Sequence, residues 1–251
     1  MAYAASTNHI ACAFSMVEML SVLYRHHLRL GDACNDPSRD CLIVSKGHAV
    51  MAQYACLYEL GWLEDAALKN YLKDGTELTG ECDAHVPGLE VSSGSLGHGF
   101  NVGIGMALAM KRQKTDRRVY AILGDGECNE GSIWEGLLFA SQQKLSNLLV
   151  IVDANGFQGL GRTSSILNLE SLEAKFTAFG FETLTVNGHD IIALNEAIAQ
   201  LVASSHPGPR AIIAQTIKGY GVSFMQDDNA WHYKSLTKET YEAALKEIET
   251  S

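Results

Sequence analysis

The stretch GDGECNEGSIWEGLLFASQQKLSNLLVIVDANGFQGLGRT, residues 124–163, limits what this chain can fold into more than any other. Residues 118–123 (RVYAIL) form a short apolar run stopped by Gly-Asp-Gly, the pattern of a strand. Over residues 129–144, Ile133, Leu137 and Ala140 recur on one helical stripe, with Trp134, Leu138 and Leu145 beside it. Residues 148–153 (LLVIVD) are nearly all apolar, as in a strand covered on both faces of a parallel sheet. The pattern predicts an α/β fold, a mostly parallel sheet with helices on both faces.

Open parallel sheets bind ligands outside the carboxyl ends of their strands, where helix N-termini also point free N–H groups. Gly124 and Gly126 let a ligand approach the backbone, and Asp125 places a hard carboxylate between them. Asn155, just past the second strand, adds an amide oxygen. With a main-chain carbonyl and diphosphate oxygens, these groups complete an octahedral magnesium shell. Taken singly, GDG reads as a turn and Asn155 as an Asx turn. Their pairing at two successive strand ends points to a metal–diphosphate site.

The 251 residues show no linker, so residues 1–251 are expected to form a single domain. A formal charge of −10, without a Lys/Arg block, argues against nucleic acid and anionic membrane as partners. Six cysteines without CxxC spacing or a secretory signal read as reduced thiols, which predicts a cytoplasmic protein. No apolar run approaches the ~20 residues that span a bilayer.

The string GDG-E-x-x-EG-x-x-W-E, followed by IVDxNxxQ, resembles the thiamine-diphosphate signature of transketolases. More narrowly, it resembles the N-terminal subunit of split bacterial transketolases, and the likeness extends along nearly the whole chain. STNHI is similar to the family loop SGHIG, which makes His9 the residue reaching the substrate end of the cofactor. SKGHAVMAQYACLYELG is similar to the family's SKGHAAxALYAxLAxxG, with His48 at diphosphate or donor and Ser45 and Lys46 shaping the turn. PGLEVSSGSLGHG resembles PGVEVSTGSLGHG, which places Gly94, Ser95 and Leu96 on the aminopyrimidine side. TIKGYGVSFMQDDNAWHYK resembles a loop in which His232 contacts diphosphate and donor. The family's usual upstream helix has no counterpart before STNHI, so the expectation is a truncated start or a contact supplied by a partner.

This resemblance implies thiamine diphosphate with Mg2+ (or Ca2+/Mn2+) held by Asp125, Asn155 and the Phe157 carbonyl. Gly124, Gly126 and Glu127 belong to the same cofactor site. It also implies two-carbon ketol transfer from a small sugar-type donor to an aldehyde, with His9, His48, Glu81 and His232 as the catalytic set. Glu81 is a departure: counting back from Gly88, it stands where the family carries the His of GHP, and His85 is the alternative occupant. Glu130 and Glu135 fall where relatives make subunit contacts. The pyrimidine-binding domain and its catalytic Glu are expected on a C-terminal partner subunit, in an α2β2 heterotetramer. Two alternatives compete: a subunit of a thiamine-dependent 2-oxoacid synthase or dehydrogenase, or a non-catalytic nucleotide-binding α/β protein. No GxGxxG or GxxxxGK[ST] loop supports the latter.

The remaining segments read as a helix over 169–179, a strand over 181–186, a helix capped by Asp190, a final sheet strand in AIIAQTI and a last helix over 238–248. A helix passes through Gly99, Gly103 and Gly105, whose small size suits close packing. Arg162, His189 and His206 read as solvated turn residues.

Overall fold

Successive side chains of a strand face opposite ways, and five parallel strands use this to sort the chain's apolar residues into two layers. The computed structural model describes residues 1–169 and 171–250. In chain order they form α1 (Ile10–Phe14), α2 (Val17–Val22) with a π turn at Leu23–His27, β1 (Cys41–Val44), α3 (Val50–Glu59) and α4 (Asp65–Lys69). Next come α5 (Gly99–Arg112), β2 (Val119–Gly124), α6 (Gly131–Gln142) and β3 (Leu148–Ala154). A short hairpin of β4 (Phe157–Gln158) and β5 (Gly161–Arg162) leads to α7 (Thr163–Ile166) and α8 (Leu172–Ala178). The chain then adds β6 (Glu182–Asn187), α9 (Ile191–Ala203), β7 (Arg210–Gln215) and α10 (Lys238–Thr250). The large sheet runs β1-β2-β3-β7-β6, every pair parallel.

Leu42, Val44, Tyr120, Ile122, Leu149 and Ile151 point into one layer, against Met19 and Leu20 of α2, Tyr54 and Leu57 of α3 and Ile198 of α9. Their neighbours Ile43, Val119, Ala121, Leu123, Val150 and Val152 point the other way, against Phe100 and Ile104 of α5, Leu137 of α6 and Phe176 of α8. Each buried aliphatic side chain contributes about 1.5–3 kcal/mol. A polar residue at any of these positions would lose that and leave a polar group unpaired. A smaller cluster of Ala11, Val222, Met225, Trp231 and Ala244 seats the C-terminal segment against α1. Because all five strands run one way, the carboxyl ends of β1, β2, β3 and β7 lie along one edge.

Local periodicity located the central elements well: β2 and β6 sit one residue later than the sequence suggests, and β3 extends one residue further. The Asp190 carboxylate caps α9, accepting from Ile192 and Ala193 N–H at 3.0 Å. Of the helix expected over 169–179, Glu170 lies outside the described residues, and the helix itself spans Leu172–Ala178. The first helix is not continuous. Ser15 Oγ donates to Asp153 and lies 3.0 Å from Cys12 O between the end of α1 and the start of α2, where Val17 is 44% exposed. Leu138, expected beside the buried stripe of α6, is 60% exposed.

Three residues expected to be solvated are engaged. The His189 side chain lies against Glu18, accepts from Ile217 N–H at 2.8 Å and stacks on Tyr220 at 3.6 Å. His206 Nε2 lies 3.2 Å from Gly180 O. Arg162 pairs with Asp227 at 2.5 Å and lies over the Phe157 ring.

The glycines of α5 separate into two kinds. A Cβ on Gly103 would come within 2.7 Å of Ile43 Cδ1, whereas one on Gly105 would meet nothing within 4 Å. Gly105→Ala should therefore stabilise the chain by about 0.5–1 kcal/mol through helix propensity. Gly103→Ala should destabilise it by about 1–3 kcal/mol through overpacking against β1. Denaturant unfolding of both variants checks the pair, and equal effects would contradict this packing.

Candidate active site at the carboxyl ends of the strands

Three strand ends meet at one buried carboxylate. Asp153, fully buried at the end of β3, accepts from Ser15 Oγ at 2.5 Å, from Asn155 Nδ2 at 3.1 Å, from Lys46 Nζ and from Thr216 Oγ1. Lys46 follows β1 and also donates to Cys12 O at 3.1 Å, while Thr216 follows β7. One acidic group thus ties together the N-terminal helix, β1, β3 and β7.

A second buried carboxylate braces the glycine segments. Glu127 Oε1 accepts from Ser45 Oγ at 2.5 Å and from Gly97 N–H at 2.9 Å, and Oε2 accepts from Gly124 N–H at 3.3 Å. Burial pushes its carboxyl above the usual range, opposed by these bonds. Gly47 packs directly on the Ser93–Gly94 backbone, where a Cβ would overlap Ser93 O. The SKGH and SSGSLGHG segments are therefore held in mutual contact by an absent side chain.

Above this floor opens a cleft of about 350 Å3. It is lined by His9, His48, Glu81, Gly94, Leu96, Gly124, Asp125, Gly126, Glu127, Asn155, Phe157 and His232, all of them expected from sequence at cofactor, metal or substrate. Ser95, expected beside Gly94, is not part of the lining. Asp125 Oδ1 accepts from Gly126 N–H at 2.8 Å and Oδ2 from Gly156 N–H at 2.7 Å. Asn155 Oδ1 accepts from Phe157 N–H at 3.0 Å. Burial, reinforced by the nearby Asp153, pushes the Asp125 carboxyl up to about 7.

In the same cleft three imidazoles converge, with ring centres 4.8 Å apart for His9–His232, 5.1 Å for His9–His48 and 5.6 Å for His48–His232. Lys218, 1% exposed, donates to His232 Nδ1 at 2.8 Å and to Asn229 Oδ1 at 3.2 Å. Burial and then Lys218 lower His9, and burial and then Lys46 hold His48 well below its usual value. Burial and then Lys218 take His232 down to about 3. All three rings are neutral at physiological pH and offer one N–H donor and one acceptor nitrogen each.

Glu81 stands at the rim over Gly94, whose absent Cβ leaves room for its carboxylate. Burial pushes it up to about 7, with no opposing cation nearby. His85 does not share this space: its side chain is 91% exposed and its Nδ1 lies 2.7 Å from Asp83. Glu135 is exposed on α6, one turn from Leu138 and Phe139, while Glu130, exposed before α6, lies against Gly97 and lines the cleft.

Sequence reasoning missed Asp153 and Lys218 altogether and gave Lys46 only a turn-shaping part. The available signal was a charged residue ending or directly following an apolar strand, where a solvated turn residue is the usual reading.

Residues 2–248 match the family described as transketolase, thiamine diphosphate binding domain. The chain is 38% identical to a subunit of apulose-4-phosphate transketolase from Phocaeicola vulgatus, covering 98% of this chain and 88% of that one. It is 37% identical to the 6-deoxy-6-sulfo-D-fructose transketolase subunit SqwG of a Clostridium species, covering 96% and 87%. The crystal structure of Campylobacter jejuni transketolase superposes with a TM-score of 0.86 at 28% identity, covering 96% of this chain and 42% of that one. These matches do not favour the 2-oxoacid or nucleotide-binding alternatives. With its parallel sheet, its GDG…Asn unit and its match over residues 2–248, the chain belongs to the transketolase family, as a thiamine-diphosphate-binding domain of the N-terminal type.

Proposed function

We propose that this chain is the diphosphate-binding subunit of a split transketolase, a transferase that moves a two-carbon ketol unit from a ketose-type donor to an aldehyde. The observation that carries the proposal is the convergence of Asp125, Asn155 and Phe157 with the three imidazoles and Lys218 in one cleft. The oxygen donors fit a hard divalent cation of the Mg2+ class. A buried carboxyl held near 7 by desolvation and a second carboxylate gains from a cation beside it. The close approach of Gly126 to Gln158 and to Phe157 O brings that carbonyl against the GDG turn.

Thiamine diphosphate, when bound, supplies the electron sink for carbon–carbon cleavage and formation. The protein's own part is placement. Asp125, Asn155 and the Phe157 carbonyl hold the metal, and Gly124 and Gly126 let diphosphate oxygens reach the backbone. Lys218 sets a positive charge against that anion within a chain of net charge −10. Glu127, with both oxygens engaged inside the protein, braces the Gly97 and Gly124 segments and supports the cofactor through them. The neutral imidazoles of His9, His48 and His232 donate and accept hydrogen bonds at the donor's hydroxyls. Gly94 and Leu96 face the ring end of the cofactor. Glu81 at the rim discriminates among donors, favouring hydroxyl- or ammonium-bearing groups near it over anions.

The relatives from Phocaeicola vulgatus and Actinobacillus succinogenes are named as one subunit of a transketolase, which implies a partner for those proteins. We extend this to the present chain: a C-terminal subunit carries the pyrimidine-binding domain and its glutamate, in an α2β2 assembly in the cytoplasm. The exposed α6 face with Glu135, Leu138 and Phe139, together with Glu130, is the contact surface. Residues 1–251 then act as one domain. No helix among the described residues is long and apolar enough to cross a membrane.

Asp125→Ala should lower Mg2+-dependent thiamine-diphosphate affinity by at least about 100-fold while leaving the unfolding midpoint nearly unchanged. Titration calorimetry showing wild-type affinity would remove Asp125 from the site. The purified chain with cofactor and Mg2+ should show no ketol transfer over a panel of ketose donors until the partner subunit is added. Substantial turnover by the chain alone refutes the split-enzyme reading. Glu81 has a folded-state pKa raised from 4.5 to about 7. Its contribution to stability is therefore present below 4.5 and is lost as pH rises through about 7. Thermal midpoints of the free chain should fall across that window, with Asp125, raised to about 7 as well, sharing the fall, and Glu81→Gln should make it shallower. A variant with the same slope as wild type would show that another group carries it.

A further inference from the structure

Cys12, on α1, and His232, from the turn before α10, meet at the cleft with Sγ 3.5 Å from Nδ1. A tetrahedral zinc, with bonds of about 2.3 Å to sulfur and about 2.0–2.1 Å to nitrogen, separates two such ligands by about 3.5 Å. His9 supplies a third ligand atom, and the three atoms lie within 4.8 Å of one another. The Nδ1 of His9 is buried and has no hydrogen-bond partner among the described residues. His48 stands alongside, its ring centre 5.1 Å from that of His9.

The donor chemistry here differs from that at Asp125 and Asn155. One sulfur and two neutral imidazoles suit a borderline or soft cation and are poor ligands for Mg2+. We propose that His9, Cys12 and His232 form a binding site for a thiophilic divalent cation of the zinc class, separate from the oxygen-donor site. Two imidazole lone pairs and the Cys12 sulfur enter the coordination shell, and the thiol proton leaves to solvent. Lys218 gives up His232 and keeps Asn229, its second acceptor at 3.2 Å. The thiolate charge offsets part of the repulsion between that ammonium and the metal. An occupied site joins the N-terminal loop to the 229–232 turn and fills the space between the rings. The inference rests on this cluster alone; because it takes up His9 and His232, an occupied site and donor contact by those imidazoles exclude each other.

The test uses the cofactor-free chain in excess Mg2+, titrated with Co2+ and then Zn2+. Wild type should bind one Co2+ with sulfur-to-cobalt charge-transfer absorption, and Zn2+ should displace it. Cys12→Ser should abolish that absorption and weaken Zn2+ binding by at least about tenfold, with five other cysteines still present. His9→Ala should weaken binding while the sulfur absorption remains, and it decides the matter if Cys12→Ser fails to fold. Absence of the sulfur band in wild type overturns the proposal. So does its persistence in Cys12→Ser, or an unchanged Zn2+ affinity in His9→Ala.

Discussion

The Lys46–Asp153 ion pair is the contact on which the arrangement of the cleft depends. Both side chains are almost fully buried, so each charge is stable there only because the other is present. A buried pair of this kind adds little net stability over an apolar substitute, yet removing one partner alone costs about 3–5 kcal/mol. Its value here is positional. Asp153 fixes Asn155 through Nδ2 and thereby turns the amide oxygen toward Phe157 and the cleft. Through Ser15 it holds the junction between α1 and α2, and through Thr216 it anchors the segment that carries Lys218.

Anion binding by an acidic protein follows from the same arrangement. The chain's charge of −10 is spread over a solvated surface, where water and salt screen it. Within the cleft, Lys46 is neutralised by Asp153, while Lys218 donates to the neutral His232 and Asn229 and lies over the Phe157 ring. Lys218 therefore sets one buried positive charge among the cleft's carboxylates Glu81, Asp125 and Glu127. Burial keeps the imidazoles neutral, and the ammonium adds to it, since a protonated ring would place a second charge beside Lys218.

The sheet and its flanking helices were legible because their signals are local. A buried strand announces itself in LLVIVD, and the stripe Ile133–Leu137–Ala140 fixes the inward face of α6 without reference to any other segment. The residues that motif resemblance placed at cofactor, metal or substrate line one cavity, except Ser95, whereas Cys12, Lys218 and Tyr233 line it too and carried no such motif signal. What escaped was tertiary in origin. Lys46 and Asp153 are 107 residues apart, and neither position distinguishes a buried charge from an exposed one. His189 reads as a turn residue until Tyr220 stacks on it and Glu18 approaches, contacts made by segments distant in sequence.

Floor and rim of the cleft are held by different means. The floor rests on parallel ladders, a buried ion pair and the Glu127 brace, all of which open only with the sheet. The rim rests on less. His9 sits in the left-handed region at φ 64°, a strain of order 1 kcal/mol for a residue with a Cβ. Its N–H donates to His232 O at 3.3 Å, a bond worth about 0.5–1.5 kcal/mol. The two terms nearly cancel, and the two loops are joined by the ring contacts among His9, His232 and Tyr233, by Ser235 Oγ donating to Ser6 O at 2.8 Å and by the cluster of Ala11 with Trp231. Each loop is thus ordered mainly by the other. Any ligand that touches both adds its contact energy to these and so strengthens the rim while the floor stays as it was.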